Sequence, residues 1–208
     1  MSDLTRDTIG GFNSMIEKEK KLDVDAHVTT VLFNDQYKML YNRRELKDVS
    51  KMTDKDYTPG GMTALLDAVG STIHKMDMVA GIHRKDKGNK VLFVIITDGE
   101  ENDSKEYTYA DVKKLIKDRQ ENAGWEFIFL GANIDAAAAA ENLGIDRDRA
   151  VKYKNTGSGV RANFKAVAEL SDSLAKSGRV SDEWKETVEK DEDDAADKQS
   201  AAVTLHRR

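Results

Sequence analysis

The residue best placed to do chemistry is Asp98. It ends the apolar run Val91 to Thr97 (VLFVIIT) and is followed by Gly99, Glu100, Glu101, Asn102 and Asp103. A Val/Ile-rich run of that length suits a strand buried on both faces, the pattern of a parallel sheet covered by helices. In open α/β sheets, ligands bind outside the carboxyl ends of the strands, so the strand context puts Asp98 in a functional position rather than in a mere turn. Glu100, Glu101 and Asp103 form an acidic rim beside it, either a solvated loop or a field that helps retain a cation. The four histidines, His27, His74, His83 and His206, show no ligand spacing, and surface or satisfied core positions suit them better. There is no cysteine, which excludes disulfides, thiolate catalysis and Cys-ligated zinc.

The elements that must position Asp98 are legible in order. Ile9, Phe12, Met15 and Ile16 make a helical stripe over 7–21. His27 to Phe33 and Tyr37 to Tyr41 are β-prone runs joined by Asn34-Asp35-Gln36, predicting an antiparallel hairpin with the second run at an edge. Thr58-Pro59-Gly60-Gly61-Met62-Thr63 leads into a helix over 64–78, with Leu65, Leu66, Val69, Ile73 and Met76 inward and Thr63 at its cap. After the strand at 91–97, which is expected in the sheet interior, come a helix over 107–120 and a buried strand over 125–130. A helix opened by the alanines 136–140, a short strand over 150–153 and a helix over 160–174 complete the alternation. The fold class is therefore α/β: a Rossmann-like, doubly wound, mostly parallel sheet with helices on both faces. Gly131-Ala132-Asn133 follows a strand as a nucleotide-binding turn does, but the Gly-x-Gly-x-x-Gly fingerprint is absent.

Composition bounds the rest. The chain has 208 residues with 34% charged side chains and a net charge of -5. That suits one α/β domain over 1–178 and a charged, disordered tail over 179–208, with the segment after 181 largely detached. Trp125 and Trp184 carry no specific signal. Without a clustered basic stripe, nucleic acid is not expected as a partner. No run approaches a membrane span and no signal core opens the chain, so a soluble, cytoplasmic protein is expected.

Three stretches carry a resemblance: TPGGMTALLDAVG (58–70), VLFVIITDGEEN (91–102) and FIFLGANIDAAAAAENLGI (127–145), preceded by DTIGGFNSMIEKEKK (7–21) as a first helix. Together they make the chain resemble the von Willebrand factor type A family, in its compact bacterial and phage-borne form. The resemblance implies a metal-ion-dependent adhesion site in which Mg²⁺ or Mn²⁺ accepts an Asp or Glu of a protein partner. By matching, Thr63 supplies the hydroxyl of the second loop and Asp98 the carboxylate of the third. Such hard oxygen donors suit Mg²⁺, which keeps several waters and stays electrophilic enough to take an outside carboxylate. Asp67, one turn after Thr63, either supports this site or simply favours the helix dipole. The family's Asp-x-Ser-x-Ser motif, at the end of a first strand, does not occur here. In the family order that strand is central, between 27–33 and 91–97, so the resemblance implies that the natural product starts earlier or that another segment fills the slot. Ala201 to Leu205 is the only unassigned β-prone piece.

The function expected is a non-catalytic interaction module of this type with an incomplete ion site. The rival readings are a metal-dependent hydrolase on a Rossmann-like fold and a metal-free scaffold or fragment. Against the hydrolase, no nucleophile is paired with a base and no phosphate loop is present.

Overall fold

A computed structural model describes residues 4–22, 24–78, 90–181 and 183–190. Helix α1 (Thr5–Glu19) leads to a hairpin of β1 (His27–Phe33) and β2 (Tyr37–Glu45). Then follow α2 (Leu65–Asp77), β3 (Leu92–Thr97), α3 (Tyr109–Asp118), β4 (Glu126–Ala132), α4 (Ala136–Leu143), β5 (Ala150–Tyr153) and α5 (Gly157–Ser177). A last helix, α6, covers 184–190. β2 runs four residues further than the hairpin pattern predicted, past Arg43, which adopts a left-handed φ of 47°. His83, His206 and 201–205 lie outside the described residues.

Strands β3, β4 and β5 form a parallel sheet in the order β3-β4-β5. Alternation along each strand divides its side chains between two layers, as a pleat demands. Phe93, Ile95, Phe127 and Phe129 pack with α2, α3 and α4 through Val69, Ile116 and Leu143. Leu92, Val94, Ile96, Ile128 and Leu130 pack on the other face with Val160, Ala166 and Leu170 of α5. Helices thus cover both faces, giving the doubly wound α/β arrangement.

The position of β3 corrects the sequence reading. Among the described residues it pairs with β4 alone, which makes it an edge strand of the sheet they form, while β4 is the interior strand, with every residue from Phe127 to Leu130 at 0% exposure. An apolar run reports that both faces are covered; it does not report whether a neighbour lies on each side.

β1 and β2 form a separate antiparallel sheet. Its free side, β1, is turned towards β3 across a cleft of about 1660 Å³ lined along both strands. The carboxyl ends of β1 and β3 meet through one loop. Ala64 N–H donates to Asn34 O at 2.8 Å just beyond β1, and Asn102 N–H donates to Thr63 O at 3.0 Å beyond β3. The two strands facing the cleft therefore point the same way.

One wall of the cleft is built by α1 and α5, which lie side by side and run in the same direction. Asp7 is ion-paired with Arg161, Phe12 meets Phe164 edge-on at 6.3 Å, and Glu19 accepts from Ser171 Oγ at 2.6 Å.

The segment after 181 is corrected as well over 183–190. Val180, Trp184 and Val188 are at most 5% exposed and pack against Ile128, Val151 and Leu170, so α6 belongs to the core rather than to a detached tail.

Candidate functional site

Three loops meet at the carboxyl edge of the parallel sheet. The first is 58–64, where Gly60 and Gly61 take φ values of 128° and 88° that only glycine adopts without strain. A β-carbon on Gly61 would also overlap the Asp35 side chain. The second is 98–107, after β3. The third is the end of β5 at Tyr153.

Thr63 and Asp98 are brought to the same edge. Thr63 N–H donates to Asn102 Oδ1 at 2.8 Å, and a β-carbon on Gly99, the neighbour of Asp98, would stand 3.2 Å from Thr63 Oγ1. Thr63 is not the cap of α2; Ala64 holds that position and offers no side chain for it. The first amides of α2 are satisfied from the second loop instead. Leu66 N–H donates to Glu101 Oε2 at 2.9 Å and Asp67 N–H to Ser104 Oγ at 3.1 Å.

Two acidic residues beside Asp98 are committed to building these loops. Glu101 also accepts from Asp103 N–H at 3.0 Å and from Ser104 N–H and Oγ at 2.8 and 2.7 Å. Burial pushes its pKa up, but those donors outweigh it and hold the carboxyl below its ordinary value. Asp67 accepts from the amides of Lys105, Glu106 and Tyr107 at 2.8, 2.9 and 2.9 Å. Against the same opposing effect of burial, these amides hold its carboxyl low too. From the first turn of α2 it ties the second loop to that helix.

The Asp98 charge is felt by two tyrosines. Burial raises the pKa of Tyr153 first, and the nearby Asp98 charge adds to it; Tyr57 is raised for the same two reasons. Tyr153 Oη reaches towards Thr97 O at 3.5 Å. Sequence reasoning missed both tyrosines, which have no local pattern to mark them.

A cation of the Mg²⁺ type demands about six oxygens in octahedral array. The Thr63 hydroxyl and the Asp98 carboxylate are two, and the donors on Glu101 and Asp67 occupy those carboxylates. Among the described residues no group of three or more His, Asp or Glu side chains is arranged to hold a metal ion. The described residues therefore supply two oxygens towards such an ion, the Thr63 hydroxyl and the Asp98 carboxylate.

The helix that follows the 131–133 turn carries its own cap. Asp135 caps α4 with its own carboxylate, accepting from Ala138 N–H at 3.0 Å, so the helix N-terminus already faces a negative charge. His74 is engaged with Tyr107 Oη at 2.7 Å. No described helix is long and apolar enough to cross a membrane.

No family model and no curated protein matches the chain. A search of solved structures returns a von Willebrand factor type A protein from Catenulispora acidiphila, at TM-score 0.47 and 11% identity. The match covers 80% of this chain and 38% of that one, so the chain spans well under half the length of that structure.

Proposed function

We propose that the chain is a non-catalytic protein-interaction module of the von Willebrand type A kind, which grips an Asp or Glu of a partner through Mg²⁺ or Mn²⁺. The observation that carries this is the meeting of Thr63 and Asp98 at the sheet's carboxyl edge, on loops braced by Glu101 and Asp67. A hydroxyl and one carboxylate are half of an ion site. A strand seated between β1 and β3, parallel to both, would deliver a further loop to the same edge. We assign that role to a first strand ending in Asp-x-Ser-x-Ser, joined to α1. The cleft supports this, and so does α1 itself, whose first turn lies at the carboxyl edge where such a loop would join it. The site is then a binding device: its hydroxyl–carboxylate contact, Ser104 on Glu101, braces the loop, and it works where a cytoplasmic partner presents an acidic side chain.

Calorimetric titration with Mg²⁺ and Mn²⁺ tests this. Residues 1–208 should bind weakly, and a form extended by the strand and its loop should bind tightly. In the extended form Asp98→Ala should abolish binding, since no neutral ligand replaces a formal charge, while Thr63→Ala should only weaken it. Tight binding by 1–208 that survives Asp98→Ala refutes the assignment.

A further inference from the structure

The seam between α1 and α5 is closed differently at its two ends. At the carboxyl edge opposite charges meet, Asp7 with Arg161. In the last turn of α1 a carboxylate meets a hydroxyl, Glu19 Oε2 accepting from Ser171 Oγ at 2.6 Å. Glu19 is 8% exposed, and its second oxygen, Oε1, is sealed from solvent without a hydrogen-bond partner. Ser171 is neutral, so among the described residues neither oxygen of Glu19 is bonded to a cation. Asp172, the next residue of α5, repeats part of the pattern. Lys176 holds its Oδ2 at 2.7 Å, while its Oδ1 is sealed and without a partner.

Oxygens this enclosed leave no room for a water, an ion or a side chain to enter and complete them. An unpaired carboxylate is far costlier to bury than a neutral carboxyl, and such a group gives up its charge rather than keep it. The species that reaches Glu19 without needing room is a proton.

We infer that Glu19 is a proton-operated latch: it carries a proton while α1 and α5 are closed on each other, and the seam loosens at its amino end when that proton leaves. The other end stays tied by Asp7 and Arg161, so the loosening widens the cleft from the amino side. The surroundings agree with this. Burial raises the Glu19 pKa first; the Ser171 hydrogen bond and Lys18 on its own helix lower it, Asp172 raises it, and the balance lies above the ordinary value. Asp25 and Lys90, before β1 and β3, and His27 of β1 also line the cleft that the seam borders. A folded pKa above the unfolded value of about 4 gives stability that is complete below that value and is lost as pH rises through the folded one. The sign is opposite to that of Asp67 and Glu101, whose carboxyls are held low.

The test compares the full chain with Glu19→Gln, which keeps an acceptor oxygen for Ser171 and never carries the charge. Urea midpoints measured from pH 4 to pH 8 should nearly coincide at pH 4 and separate as pH rises, the variant becoming the more stable. Amide exchange over residues 16–20 should be several-fold faster in the wild type than in the variant at pH 8, and equal at pH 4. Should the variant not fold, an NMR titration of the Glu19 δ-carbon in the wild type decides the matter, its midpoint being expected above those of the exposed glutamates. Parallel urea curves, equal exchange at pH 8, or a Glu19 midpoint within the range of the exposed glutamates would each overturn the inference.

Discussion

Strands β3 and β4 are neighbours of nearly equal hydrophobicity, LFVIIT and EFIFLGA, yet they live differently. β4 has a strand on each side and helices on each face, and Phe127 to Leu130 are sealed from solvent. β3 has the same two helical layers but one strand neighbour, and only Ile95 and Thr97 are fully buried. What separates them is the side facing the cleft. Covering a strand's faces makes it part of a core; only lateral pairing makes it dry.

The largest test of that difference uses one residue type. Ile128 in β4 and Ile96 in β3 point to the same layer. Ile128→Ala should cost about 2–5 kcal/mol in urea unfolding, and Ile96→Ala less than half as much, because half-exposed side chains lose less transfer energy and leave no closed cavity. Equal costs would mean that the cleft is dry in solution and the comparison is void.

Next, Trp184→Ala should cost about 3 kcal/mol, at the lower end for a buried tryptophan. Its place on the closed side, against Ile128 and Val151, requires that much. A loss under half that size would return α6 to the status of a tail.

A smaller effect is expected where the loops are braced. Asp67→Ala strands three backbone amides and should cost about 1–2 kcal/mol by the same measurement, partly recovered in Asp67→Asn. Both Asp67 and Glu101 have folded pKa values below their unfolded values of about 4. Their stabilisation is therefore complete above that range and is lost as pH falls through the lower folded values. Unfolding followed from pH 7 down to pH 2 should show that loss, and Asp67→Asn should reduce it. The smallest effect belongs to Thr63→Ala, expected within about 0.5 kcal/mol because its hydroxyl caps nothing.

Much of this was legible. Alternating apolar strands and periodic helices fixed the α/β class, and Asp135 before the alanine run marks the start of α4 by its cap. Lateral neighbours were not legible, because periodicity records which faces are covered and is silent on which edges are paired. Glu101 was hidden for another reason. Its helix amide lies 35 residues away, and a cap that distant leaves no local spacing. Trp184 could have been found, since Val180, Trp184 and Val188 recur every fourth residue, but the surrounding charges obscured the stripe.

The place of α6 has a consequence for how the chain acquires its fold during synthesis. The face formed by Ile128, Leu130 and Val151 is translated before either helix that covers it, α5 first and α6 last. Until residues 183–190 emerge, the part that α6 covers is open to chaperones and to other nascent chains, for a few seconds at a rate of roughly 5–20 residues per second. The segment with the most hydrophilic surroundings is thus the one that ends this exposure, and a ribosome stalled ahead of it would present a face that α5 alone covers in part.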